Sequence, residues 1–134
     1  MSNLALLEVQ HGIYAKLAGD GLLMGMVTGV YDAPPQQAAF PYVVIGDGKQ
    51  AALPADSLQV TECRLTLHVW TDASGRKPAL NILNRLYALL HQGTLTLTGY
   101  QLVLLRGVDA QTELAEQGSH MHGMLTILAT VVEQ

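Results

Sequence analysis

The chain has one cysteine, Cys63, among its 134 residues, so no disulfide can form within it. Cys63 lies in an apolar run with Arg64 as the only obvious cation beside it, which reads as a small buried hydrophobe in a reducing compartment, not a reactive thiol. Charge is scarce as well: charged residues make up 13% of the chain and apolar residues 49%. Much of the surface is therefore uncharged, which suggests that partners cover some of it. There is no excess of basic residues. Through Arg106 the seven Lys and Arg are balanced by Glu8, Asp20, Asp32, Asp47, Asp56, Glu62 and Asp72, so the net charge of −4 comes from Asp109, Glu113, Glu116 and Glu133. That distribution provides no face for nucleic acid. Long apolar runs are missing too: none approaches the roughly 20 residues of a membrane span, and "MSNLALLEVQHG" lacks the basic start and unbroken apolar core of a signal peptide. The expectation is a chain made in the cytosol, without membrane association.

Catalytic signatures are equally sparse. No serine sits in a G-x-S-x-G elbow, and no pair of carboxylates stands out at helical or strand spacing. "GDGLLMG" is not G-x-G-x-x-G and follows a helix where a dinucleotide site needs a strand. "SGRKP", 74–78, lacks P-loop spacing, and Pro78 removes one of the backbone donors that a phosphate would use at the helix start. It reads as a strand-to-helix corner with a basic tip. His120 and His122 form an H-x-H pair that shares a face if it lies in a strand, but Glu116 is the only third ligand at hand, so ordinary surface histidines are favoured over zinc. No enzyme activity, metal or cofactor is expected.

What is present is a single α+β domain over residues 1–134. Periodicity predicts a helix from about Asn3 to Ala18, with Ser2 or Asn3 as N-cap and Leu4, Leu7, Tyr14, Leu17 and Ala18 on one face, interrupted by Gln10 and His11. A glycine-rich connector, a brief "GVYD" strand, a proline-bounded turn and a "YVVIGD" strand follow. Gly46–Gln59 reads as a long loop, or as a hairpin tip that orders against a neighbour. From Val60 to Thr71, Cys63, Leu65, Leu67 and Val69 alternate with Arg64, Thr66, His68 and Trp70, which is a strand with one core face. The next helix begins at Pro78, presents Ala79, Leu80, Ile82, Leu83, Leu86, Tyr87, Leu89 and Leu90 on one half of its wheel, and stops at Gly93. Thr94–Leu97 and Tyr100–Arg106 read as strands around Thr98-Gly99. Gly107–Gly123 reads as an acidic loop, and "MLTILATVV" as the last strand. The predicted core sets Leu65, Leu67 and Val69 against Leu83, Leu86 and Leu90, with Val103, Leu105, Leu125 and Ile127 from the other strands.

The order of these segments carries a resemblance. A helix, "VYD" followed by prolines, "FPYVVIGD", a long loop, "LTLHVWTDASGRKPALNILNRLYALL", "TLTGYQL" and a final strand resemble the small tail-completion proteins of tailed phages and gene transfer agents. Pro41-Tyr42 at a strand start and Val69-Trp70 before a small Gly-Arg turn into a helix are the most specific parts; "EQGSHMHG", 116–123, departs from the pattern. The resemblance implies a structural protein with a mostly antiparallel mixed sheet and two α-helices packed on one face. It implies a hexameric ring of copies on the last ring of the tail tube, which ends tube growth and offers a surface to the head connector or stopper. Its place would be the host cytoplasm during assembly, then the head–tail junction of the particle. No catalytic residue carries over.

The expected partners are thus other copies, the tail tube protein and the connector. The candidate contact residues lie on the interrupted helix face and in the two polar stretches: Gln10, His11, Asp47, Lys49, Gln50, Asp56, Asp109, Glu113 and Glu116. Two alternatives stay open: a head-closure or neck component of the same particle, and, from another class, a small α+β ligand-binding regulatory module.

Overall fold

Alternation decides the sheet. Cys63, Leu65, Leu67 and Val69 are all buried, and so are Met121, Leu125, Ile127, Ala129 and Val131, each set along one side of a strand. The computed structural model of the chain describes residues 4–54, 59–72, 75–115 and 118–134. Its elements run α1 (Ala5–Ala18), α2 (Gly21–Met24), β1 (Val30–Tyr31), β2 (Tyr42–Leu53), β3 (Val60–Asp72), α3 (Lys77–Leu90), β4 (Tyr100–Leu114) and β5 (His120–Glu133). The five strands form one sheet in the order β1-β2-β3-β5-β4, antiparallel except for the short parallel β1–β2 pair. Helix α1 packs over β1, β2 and β3, and α3 over β3, β5 and β4. Both lie on one face, as the fold class predicts.

Several expectations change. Gly46–Gln59 is mostly strand: β2 continues to Leu53 and pairs antiparallel with β3 down to Leu53↔Val60, after a bulge between Gly46 and Gly48. Gly107–Gly123 is likewise mostly strand, because β4 runs to Leu114 and β5 starts at His120. Glycine and polar residues hid both, since exposed stretches of a hairpin need no core-facing period. Thr94–Leu97 is not a strand. It runs beside α1, where Lys16 Nζ donates to Thr94 O at 2.6 Å, and β4 pairs with β5 instead of folding back at Thr98-Gly99.

Val103 leaves the predicted core. A bulge between Leu102 and Leu104 resets the alternation, so Leu105 faces inward and Val103 stands 60% exposed. On α1 the buried stripe is Ala5, Val9, Ile13 and Leu17 with Glu8 and Gly12, while Leu4, Leu7, Tyr14 and Ala18 are exposed. Gly12 allows close approach to the 94–97 segment, where an added Cβ would stand 3.0 Å from Leu97 Cδ2. Glu8 tolerates burial because its carboxylate accepts from Thr98 N–H at 3.2 Å. Residue N-cap is Leu4, without a side-chain cap, and Ser2 and Asn3 lie outside the described residues. On α3, Ala79, Ile82, Leu83, Leu86 and Leu90 are buried, whereas Leu80 and Tyr87 are exposed. Its left-handed stop is Gln92, at φ 58°, and not Gly93; Gln92 N–H donates to Leu105 O and ties the helix end to β4.

Candidate assembly surfaces and an imidazole row

Two exposed apolar surfaces lie toward opposite edges of the sheet. The first is the outer side of α1, where Leu7, Gln10, His11 and Tyr14 line a groove of about 320 Å³ with Asp32 and Ile45. Gln10 Nε2 donates to Asp32 Oδ1 at 2.8 Å and fixes the groove's polar rim. The second is β4, an edge strand of 15 residues with Val103, Leu104, Val108 and Leu114 exposed. Beside it, Gln92–Leu97 and Tyr100–Leu105 border an open groove of about 620 Å³. The end of α3 already holds this edge at two points, where Leu105 O accepts from Gln92 N–H and Gly107 N–H donates to His91 Nδ1, so the part suited to pairing with another chain is the stretch beyond Gly107.

The predicted contact residues divide by their local bonds. His11, Lys49 and Asp109 are exposed. Gln50 is turned inward, and its Oε1 accepts from Leu6 N–H at 2.9 Å, which caps the first turn of α1 from the neighbouring strand. Asp47 and Glu113 flank His68 and His122. Asp56 and Glu116 lie outside the described residues. The basic corner holds Gly75 at φ +105° and exposed Arg76 and Lys77, with Pro78 in the first turn of α3.

The sheet face away from the helices carries a row that sequence reading missed. His68 on β3 and His122 on β5 are diagonal neighbours across the β3–β5 pair, since His122 lies opposite Trp70 and His68 opposite Met124. His68 Nδ1 lies 2.7 Å from His122 Nε2, and the Trp70 indole stacks on His122 at 4.0 Å between ring centroids, 4° from parallel. Gly46 makes room for the His68 ring, because a Cβ there would stand 3.1 Å from His68 Cδ2. His120 and Phe40 extend the aromatic cluster, with centroids 4.8 Å apart. The H-x-H pair does share a face, but His122 turns its nitrogens to His68 and Glu113. The signal was available: His68 and Trp70 alternate on one strand and His120 and His122 on another, and only the β3–β5 register was missing.

Comparison with known proteins places the whole arrangement. Residues 11–132 match the family model described as "Tail completion protein gp17". The chain belongs to this family. Tail completion protein gp17 of Bacillus phage SPP1 is 29% identical over 109 residues, 81% of each sequence. The structure of bacteriophage SPP1 gp17 superposes with a TM-score of 0.69 at 28% identity, covering 96% of this chain and 91% of that one. A chain from the virion of a native gene transfer agent particle superposes with a TM-score of 0.88 at 27% identity, covering 97% and 99%. The gp17 family match thus spans all five strands, α3 and the part of α1 that includes His11.

Proposed function

We propose that this tail-completion family member is a structural component of a phage-like or gene transfer agent particle. It forms a hexameric ring on the end of the tail tube, stops tube growth and offers a surface to the head connector. The observation that carries the reading is the near-complete likeness, in both directions, to a chain of a gene transfer agent virion. The surfaces support it. A ring needs a head-to-tail contact between two unlike patches. The β4 edge with Val103, Leu104, Val108 and Leu114, and the α1 groove with Leu7, His11 and Tyr14, are two such patches toward opposite edges of the sheet.

In this reading Lys49 and Asp109, exposed on the face away from the helices, add polar contacts to the tail tube or the connector. The chain performs no catalysis and has no cofactor. Its acidic excess, with Asp109 and Glu113 exposed on β4, disfavours tight duplex binding and lets DNA pass. The test is to mix the purified chain with purified tail tubes and image them by negative stain. Rings seated on one end of the tubes are expected. Unbound chain beside bare tube ends would refute the reading, and rings found only on isolated heads would favour the neck alternative.

A further inference from the structure

Two partly buried imidazoles in direct contact impose a proton count. His68 Nδ1 and His122 Nε2 are 2.7 Å apart, a distance that one nitrogen must bridge by donating and the other by accepting. Full protonation of both rings would set two N–H groups against each other, on two positive rings whose centroids stand 5.0 Å apart. The outer nitrogens meet carboxylates: His68 Nε2 is 3.3 Å from Asp47 Oδ2, and His122 Nδ1 is 3.4 Å from Glu113 Oε1. Asp47 stands on the β2 bulge at φ 34°, and Glu113 lies on β4 opposite His122. The row Asp47, His68, His122, Glu113 therefore crosses all four long strands, and Trp70 lies flat on His122 beside it.

We propose that this row is a pH-sensitive clamp on the helix-free face: it holds β2, β3, β5 and β4 in register while the two imidazoles share a proton, and it opens beside Trp70 when both are protonated. Each neighbouring strand supplies groups that act on the pair. Asp47 from β2 and Glu113 from β4 favour positive charge, and on β3 Asp72 lies two residues beyond Trp70 on the same face. Arg64 on β3, also on this face, opposes added charge, as does Lys49 opposite it on β2. His120 on β5 stands two residues from His122, and its Nδ1 is buried without a hydrogen-bond partner among the described residues.

The balance follows from exposure. The His68 and His122 side chains are 17% and 13% exposed, against 83% for Asp47 and 60% for Glu113, so solvent screens the carboxylates more than the rings. Burial, and then the charge of His68, hold His122 below its ordinary value of 6.5, with Glu113 pulling the other way. A base lowered in this way contributes stability that is present above its ordinary value and is lost as pH falls through the folded one.

Trp70 is the only tryptophan, so its emission reads this site directly. The experiment follows the emission maximum and the far-ultraviolet circular dichroism of the full chain from pH 8 to pH 5. A shift of the emission to longer wavelength, with secondary structure retained, is expected, and the step should vanish in His68→Gln and in His122→Gln while persisting in His11→Gln. Long-range ¹H–¹⁵N spectra of the unmutated chain labelled at histidine give a second readout that needs no variant. They should show, at neutral pH, one imidazole of the pair donating and the other accepting. Flat emission across the range, a step that survives in both pair variants, or two rings that titrate independently as isolated histidines would each overturn the clamp.

Discussion

Arg85 grips Asp20 at two points, Nε to Oδ2 at 2.9 Å and Nη2 to Oδ1 at 2.7 Å, so the middle of α3 is bound to the start of α2. The same Asp20 carboxylate accepts from Leu23 N–H at 2.8 Å and caps that four-residue helix. The Arg85 hydrogen bonds, and then the Leu23 N–H, hold its carboxyl below the ordinary value of 3.8.

A carboxyl lowered in the folded state contributes stability above its ordinary value and loses it as pH falls through the folded one. Acid unfolding of the chain should therefore begin below about pH 4 partly through Asp20. Asp20→Asn is expected to lower the midpoint of urea unfolding at pH 7 and to narrow the difference between pH 7 and pH 3. Asp20→Ala, which also removes the cap, is expected to lower the pH 7 midpoint further. Equal midpoints for the two variants and the parent chain would show that neither bond matters.

The core and the outer face of α3 should separate cleanly. Leu86 is wholly buried, so Leu86→Ala is expected to cost about 2–5 kcal/mol in chemical unfolding. Leu80 is 50% exposed, and Leu80→Ala should stay within about 0.5 kcal/mol. Similar costs for both would mean that the predicted half-wheel, with Leu80 inside it, describes the packing better.

Legibility in the sequence followed burial. β3 and α3 were readable because a one-sided apolar pattern has few competing interpretations: Leu65, Leu67 and Val69 alternate, and Ile82, Leu83, Leu86 and Leu90 keep helical spacing. α1 was misread because its inner side includes Glu8 and Gly12, a carboxylate satisfied by Thr98 N–H and a glycine chosen for close approach, while the larger Leu7 and Tyr14 point outward. Those outward residues are what a chain built for contact with neighbours would show. The bulge at Leu102/Leu104 broke the period that a linear pattern assumes. The imidazole row needed pairing across β3 and β5, which no single stretch encodes. Gln10 and His11 interrupt only the side of α1 that bears Leu7 and Tyr14, which is exposed, and Gln50, which reads as a loop residue, caps α1.

Cys63 should be inert while the chain is folded. Burial, with Glu62 adding to it, pushes its thiol up to about 11 from 9.0. Alkylation by iodoacetamide at pH 8 is expected to run about a hundredfold or more slower than in the urea-unfolded chain, one factor of ten for each unit of the rise. Equal rates would show that β3 opens readily.

The two apolar surfaces should matter to assembly and not to folding. Tyr14→Glu on α1 and Val103→Lys on β4 change exposed side chains, so each variant should remain within about 0.5 kcal/mol of the parent chain. Both are expected to abolish rings on tail tubes in negative-stain images. Rings formed normally by both variants would move the contacts elsewhere.

The most direct measurement is the distribution of tail lengths in particles produced without this chain. Tails of uncontrolled length that fail to join heads are expected, with uniform joined tails restored when the chain is supplied. Tails of normal, uniform length attached to filled heads in its absence would contradict the account.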